Sequence, residues 1–377
     1  MNIPKLRFKD NNGNDYPQWE KKKLGDIVQF LDNKRKPLEQ SERIHGKYPY
    51  YGASGIIDYI NNYIFDEELV LLSEDGANII DRNYPICYIA TGKSWVNNHA
   101  HVLKTKSQYL NKFLCEALER LNYNKYNTGT AQPKLNQDIC KNILLNIPIL
   151  HEQEKIANFF STIDKKIKNL ANTITSLENQ KKGLLQQIFS QKLRFKDKNG
   201  NNYPNWKKKK LGDLFTIKAG GDINKENFSE QYSIEFKYPV YANALTNNGL
   251  YGYSNIYKID KPSITVTGRG INVGFALSRE PFYYPIVRLL VLIPNININF
   301  TFFTESINFI HIFNESTGVP QLTAPQLSKV NVYVPNIEEQ NKIGNLFDKL
   351  NEKIDNKKAQ LEHWQQIKKG LLQQMFV

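Results

Sequence analysis

The sequence predicts an α+β protein made of two mixed α/β domains, each followed by one long coiled-coil helix. Three observations predict it. The chain repeats its own ends, the repeats finish in long apolar seams of helical period, and the centres alternate short β-rich runs with turn residues.

Residues 5–27, KLRFKDNNGNDYPQWEKKKLGDI, return at 192–214 as KLRFKDKNGNNYPNWKKKKLGDL, with 18 of 23 positions identical at an offset of 187. The same offset carries IPILHEQEKIANFF from Ile147 onto VPNIEEQNKIGNLF from Val334, and KKGLLQQIF from Lys181 onto KKGLLQQMF from Lys368. A period this long exceeds that of a solenoid repeat. It fits a whole domain plus a long element, duplicated, with shared ends and divergent centres. The division is a first domain over 1–150, a helix over 151–190, a second domain over 191–337 and a second helix over 338–377.

In chain order, the first divergent centre spans about residues 28–127 and the second about 215–315. Strand-like runs Leu69–Leu72, Ile86–Ile89, Ser263–Val266 and Leu289–Ile293 sit there between turns. Gly52, Gly55, Gly76 and Gly92 punctuate the first centre, and Gly249, Gly252, Gly268 and Gly270 the second. The first helix carries Ile156, Phe160, Ile163, Ile167, Leu170, Ile174, Leu177, Leu184 and Ile188, in steps alternating four and three, with Lys181 interrupting the seam. The second carries Ile343, Phe347, Leu350, Ile354, Leu361, Trp364, Leu371 and Met375, interrupted by Lys357 and Lys368. Pro148 and Pro335 precede the helices, and acidic residues near each start suit the helix dipole. About 38 residues at a rise of 1.5 Å give each helix roughly 57 Å.

A chain of 377 residues with 40% hydrophobic content supports two full cores. Its formal charge of +13 points to a polyanion, either nucleic acid or an acidic membrane surface. No apolar run approaches the roughly 18 to 20 residues of a membrane span, and MNIPKLRFKDNNGND has no signal-peptide core. Nucleic acid is therefore favoured. Cys87, Cys115 and Cys140 are odd in number and lack CxxC or Cys/His spacing, so buried free thiols are expected rather than a disulfide framework or zinc site.

The LRF…YP.W…KLGD opening, a G-x-x-Q segment at Gly129–Gln132 and again at Gly318–Gln321, and the P…EQ.KI…F approach to a long helix resemble the specificity subunit of type I restriction-modification systems. The resemblance covers nearly the whole chain in that family's order. It implies two target-recognition domains in a pseudo-two-fold arrangement, each reading one half of a split, asymmetric site in double-stranded DNA. It implies that the two helices pack antiparallel and set the distance between the halves, about one helical turn or ~34 Å. Two adenine-N6 methyltransferase subunits would dock on it, with restriction-translocase subunits added for cleavage. S-adenosylmethionine, Mg and ATP would then belong to the partners, with no cofactor on this chain, and the location would be cytoplasmic.

The residues themselves read as a binder. The [N/D]-P-P-[Y/F] tetrapeptide of an N6-adenine methyltransferase is absent, and Thr267-Gly-Arg-Gly270 is a lone GxG. Asp222 with Glu235-Phe236-Lys237 fits a nuclease pattern only loosely. His99 and His101 flank Ala100 without a carboxylate or third ligand nearby, so a surface or DNA-contacting role is expected over a metal site.

Polar, basic and aromatic residues on the Gly-rich loops are the candidate DNA contacts. They are Tyr51, Ser54, Arg82, Lys93, Trp95, Asn97, Asn98 and His99 in the first domain, and Tyr241, Asn243, Asn247, Asn248, Arg269, Asn272 and Arg279 in the second. Lys21–Lys23 and Lys207–Lys210 are either phosphate contacts or solvated faces. Tyr16, Pro17, Trp19, Tyr203, Pro204 and Trp206, with Phe8 and Phe195, are read as packing residues. Phe159, Phe189, Leu346 and Phe376 are candidate methyltransferase contacts, with packing against the domains as the alternative. Two rival classes stay open: a coiled-coil adaptor or general nucleic-acid binder, and the specificity portion of a single-chain restriction enzyme.

Overall fold

The computed structural model describes residues 4–105, 108–270, 272–310, 312 and 321–376. The chain forms two compact units: Met1–Ala171 with Ala359–Val377, and Asn172–Lys358.

The strands of the first unit are β1 (Glu20–Lys23), β2 (Val28–Phe30), β3 (His45–Gly52), β4 (Gly55–Ile60), β5 (Phe65–Asp66), β6 (Leu69–Ser73), β7 (Cys87–Ala90), β8 (Lys93–Val96), β9 (Ala100–Thr105) and β10 (Leu144–Ile147). An antiparallel sheet runs β2-β9-β6-β7, a mixed sheet runs β4-β3-β8-β5, and β1 pairs with β10. The run Leu69–Ser73 is wholly buried because both faces of β6 are covered. Its alternation sorts the core. Val70 and Leu72 face a cluster with Phe113 and Leu114 of the helix Gln108–Arg120, while Leu69 and Leu71 join Phe65 and Val96.

The second unit repeats this with β11 (Lys207–Lys210), β12 (Phe215–Ala219), β13 (Phe228–Ser229), β14 (Tyr238–Tyr241), β15 (Leu250–Ser254), β16 (Ser263–Thr267), β17 (Ala276–Arg279), β18 (Tyr284–Pro285), β19 (Leu289–Pro294) and β20 (Asn331–Val334). Its sheets run β12-β19-β16-β17 and β13-β15-β14-β18, and β11 pairs with β20. The parallel pair β3/β8 returns as β14/β18. The edge differs: β5 lies beside β8 in the first unit, whereas β13 lies beside β15 in the second. The central strand differs too. Ile264 and Val266 keep the apolar face against Phe302 and Phe303, but Ser263 and Thr265 stand where the first unit has Leu69 and Leu71 on the other face.

The long helices are Leu150–Phe189 and Ile337–Met375. Within the first unit, Phe160 meets Phe376 with ring centroids 6.0 Å apart, and Lys368 Nζ lies 2.8 Å from Asp164 Oδ1. Within the second, Lys358 Nζ lies 2.7 Å from Glu178 Oε1, and Phe189 meets Phe347 at 6.4 Å. In each unit one index rises as the other falls, so the segments pair antiparallel. Ile156, Phe160, Ile163, Leu170, Ile174, Leu177 and Ile188 are buried along the first seam, with Ile343, Phe347, Ile354 and Met375 along the second. The seam lysines are not defects: Lys181 pairs with Glu305 and Lys368 with Glu116, each glutamate standing on a domain helix.

Three of the four candidate methyltransferase contacts are drawn into these cores and the fourth into an aromatic edge. Phe376 is buried against Trp19, Phe113 and Phe160. Phe189 stacks among Trp206, Phe302, Phe309 and Phe347. Leu346 packs on the same cluster, and Phe159 sits edge-on to Phe8 and Phe160. These contacts are the packing against the domains that the sequence offered as the alternative.

Candidate nucleic-acid interface

Each unit gathers three loops at one corner, and among the described residues the two corners share three backbone hydrogen bonds and one strand bridge. After β6, the Glu74 N–H donates to His99 O at 2.9 Å, the Leu135 N–H donates to Glu74 O at 2.7 Å, and Asp75 bridges Lys134. After β16, the Gly268 N–H donates to Arg288 O at 2.9 Å, the Leu322 N–H donates to Gly268 O at 2.8 Å, and Arg269 bridges Gln321. The neighbouring loop is tied alike, Asn97 N–H to Tyr51 O at 3.0 Å and Ile286 N–H to Tyr241 O at 2.9 Å. One backbone frame thus presents Asp75, His99 and Lys134 in the first unit and Arg269, Arg288 and Gln321 in the second.

The two G-x-x-Q segments do not share a register in this frame. Gln321 occupies the place of Lys134, not of Gln132, because Pro133 and Lys134 intervene before the shared leucine. Gly318–Pro320 lie outside the described residues.

The first corner rests on a buried ion network. His101 Nδ1 lies 2.6 Å from Asp32 Oδ2 and Nε2 2.8 Å from Leu135 O. Arg35 reaches Asp32 at 3.5 Å and Glu74 at 2.5 Å, and Lys134 lies 3.4 Å from Glu74. The carboxylates that sequence proximity left out of reach are therefore supplied by the fold. Burial opposes the charged imidazole, but the Asp32 hydrogen bond prevails and lifts its pKa to about 10. Asp32, Glu74 and His101 have ligand atoms within 4.8 Å of one another, as a metal site would. Both imidazole nitrogens are already engaged, and Arg35 and Lys134 counter the carboxylates, so the group is an ion-pair network. It fixes the loops from beneath.

Several candidate DNA contacts are consumed by structure. Arg82, at φ 54°, donates to Leu121 O at 3.0 Å and to Glu119 Oε1 at 2.7 Å, clamping its turn to the domain helix. Arg279 is buried, donating to Thr265 Oγ1 at 2.9 Å and Asn248 O at 2.7 Å, with its guanidinium 3.8 Å from the Tyr241 ring centre. The polar face of β16 makes room for it. Trp95 is buried with its indole N–H on Lys36 O at 2.7 Å, Tyr51 packs in the core, and Asn97 is buried with Oδ1 accepting the His99 N–H at 2.8 Å. Tyr241 is half-buried beneath Arg279.

The rest stay at the surface or the cleft. Ser54 is exposed at the β3–β4 turn, and Asn98 and His99 are exposed before β9, with His99 Nδ1 2.8 Å from Asp75 Oδ2. Lys93 is exposed, its ammonium 4.7 Å from the Tyr63 ring centre. Asn247 and Asn248 are exposed in left-handed conformations at the β14–β15 turn. Asn243, Arg269, Asn272 and Arg288 line a cleft of about 380 Å³. Arg288 escaped sequence reasoning; the available signal was position alone, since His99 and Arg288 each immediately precede a buried central strand. Lys21–Lys23 and Lys207–Lys210 are exposed on β1 and β11.

Two copies of one α/β domain, sharing a loop frame but not the side chains upon it, define a two-headed recognition protein. The family model for the type I restriction modification DNA specificity domain matches residues 16–179 and 203–364, and the chain belongs to that family. It is 27% identical over 334 residues to a Mycoplasma pneumoniae protein described as a type I specificity subunit, covering 87% of this chain and 88% of the relative. It is 23% identical to the specificity subunit of a type I restriction enzyme from Methanocaldococcus jannaschii, covering 97% and 94%. Its fold is similar to the crystal structure of a type I restriction-modification S subunit from M. genitalium, with TM-score 0.71, 19% identity and coverage of 100% and 99%. No helix among the described residues is long and apolar enough to cross a membrane.

Proposed function

We propose that this chain is the DNA-reading subunit of a type I restriction-modification complex, and that each domain contacts one half of a bipartite, gapped site through its loop corner. The observation that carries this is the matched frame. The framing backbone hydrogen bonds and the strand bridge recur between the corners while the exposed polar residues do not, as two readers of different base sequences require. Exposed lysines on β1 and β11 are suited to phosphate contact and supply salt-dependent affinity.

On this reading the chain contributes recognition and no chemistry. Two methyltransferase subunits dock on it and methylate adenine N6, and restriction-translocase subunits join them for cleavage. S-adenosylmethionine, Mg and ATP are bound by those partners, and the complex works in the cytoplasm. The test is methylome sequencing of cells expressing this chain with and without its cognate methyltransferase. N6-methyladenine at a gapped motif only when both are present supports the reading. A co-purifying, competent methyltransferase that marks no gapped motif sinks it and favours an adaptor role.

A further inference from the structure

We infer that Arg269 and Arg288 are the guanine-reading residues of the second domain, so that its half-site contains guanine contacted by this pair. The inference rests on the DNA-reading role proposed above and adds the base class and the residues.

The second unit holds four arginines, and two are spent. Arg194 is bound to Glu339 and Arg279 to Thr265 and Asn248. Arg269 and Arg288 are exposed, and among the described residues neither guanidinium has a carboxylate or hydrogen-bond partner. They come from separate loops onto one cleft with Asn243 and Asn272.

Their backbones are held, while among the described residues nothing pairs with either guanidinium. Asn243 Oδ1 accepts the Arg269 N–H at 3.1 Å, and Asn243 Nδ2 donates to Arg269 O at 2.8 Å. Arg288 stands at φ 73° and its carbonyl accepts the Gly268 N–H. A non-glycine residue is kept in that conformation only where its surroundings determine it.

A guanidinium offers donors only, in a planar fork that matches O6 and N7 of guanine in the major groove. The first corner lacks this fork. At the matching positions Asp75 and His99 face each other, and the carboxylate brings acceptors. Guanine reading by an arginine fork from this frame therefore belongs to one half-site. Exposed lysines on β11 are available for phosphate contact.

The test uses the whole subunit with its methyltransferase, carrying Arg269→Gln or Arg288→Gln. The expected methylome keeps the gap and one half-site unchanged, while a guanine position in the other half becomes degenerate. Discrimination at that base should fall about 10- to 100-fold. In binding assays on the unaltered protein, 7-deazaguanine at that position, which lacks N7, should weaken binding and add little further loss to the matching variant.

An unchanged motif with both variants overturns the proposal. So does a uniform loss of affinity with a shallower salt dependence and intact specificity, which marks a phosphate contact. Should both variants fail to assemble, the unaltered protein still decides: indifference to 7-deazaguanine throughout the half-site overturns the inference. If the unaltered complex marks no gapped motif, the DNA-reading role fails first, which is a distinct result.

Discussion

Arg7 forks onto Glu152 across 145 residues of chain, Nε to Oε1 at 3.0 Å and Nη2 to Oε2 at 2.6 Å. Arg194 repeats this on Glu339 at 3.1 and 2.7 Å, and the indoles of Trp19 and Trp206 donate to the same glutamates at 3.0 Å. Both glutamates are fully buried. This latch ties the opening of each repeat to the start of its long helix, which is why LRF, W and EQ recur together. Removing the glutamate strands a partly exposed guanidinium and a buried indole donor. Glu152→Ala should cost about 2 to 4 kcal/mol in the first unit and Glu339→Ala a similar amount in the second. Urea unfolding of each variant checks this; a loss under 1 kcal/mol contradicts the latch.

The seam lysines Lys181 and Lys368 should not be equally costly to lose. Glu116 is served by Lys112 as well as Lys368, and both lysines also reach Asp164. In the second unit Thr301 and Asn351 stand in place of Lys112 and Asp164, and Glu305 receives Lys181 at 2.6 Å and the Asn351 amide at 3.2 Å. Lys181→Ala should thus destabilise by about 3 kcal/mol and Lys368→Ala by about half as much. Equal losses in thermal unfolding would show that the networks do not differ as drawn.

The His101 network gives the first unit an alkaline pH dependence. The imidazole pKa is raised from 6.5 to about 10, through its bond to Asp32 and against its burial. Asp32 feels burial upward, but the His101 bond, the Val102 N–H and Arg35 hold it below its usual range. The charged imidazole also faces Glu74, with Lys134 and Cys140 close by. A raised pKa contributes stability that is full below about 6.5 and is lost as pH rises through about 10, at no more than about 1.4 kcal/mol per pH unit. His101→Gln should therefore be destabilising at pH 6 to 7 and approach the parent at pH 10. A difference that stays constant over that range would rule out the charged pair.

The duplicated plan, the long helices and their seams were legible because they depend on period and composition alone. The corners were legible only in part. Asn243 and Arg269 lie on Gly-rich loops and were within reach, but Arg288 gains its meaning from a hydrogen bond to Gly268, 20 residues earlier. Sequence proximity could not show that Asp32 lies against His101, 69 residues on. Arg82 and Arg279 look like loop cations in the sequence, yet the fold spends both on backbone carbonyls. The two G-x-x-Q segments share spelling but not register, which only the strand bridges show.

Arg279 separates a reader from a support. It is a buried cation without a carboxylate at ion-pair distance among the described residues, and burial lowers its pKa against the pull of Tyr241 and Tyr283. What retains it is a fork onto Thr265 and Asn248 and the face of Tyr241. Lysine keeps the charge but loses the fork and the flat stack, so Arg279→Lys should destabilise the second unit by about 2 kcal/mol. The Asn247–Asn248 turn, with both residues in left-handed conformations, should loosen with it. Because the side chain meets protein rather than DNA, the methylated motif should keep every base while methylation declines at elevated temperature. Arg269→Gln should behave in the opposite way, with unchanged thermal unfolding and a relaxed guanine. A motif relaxed by Arg279→Lys at full stability would instead place Arg279 among the readers.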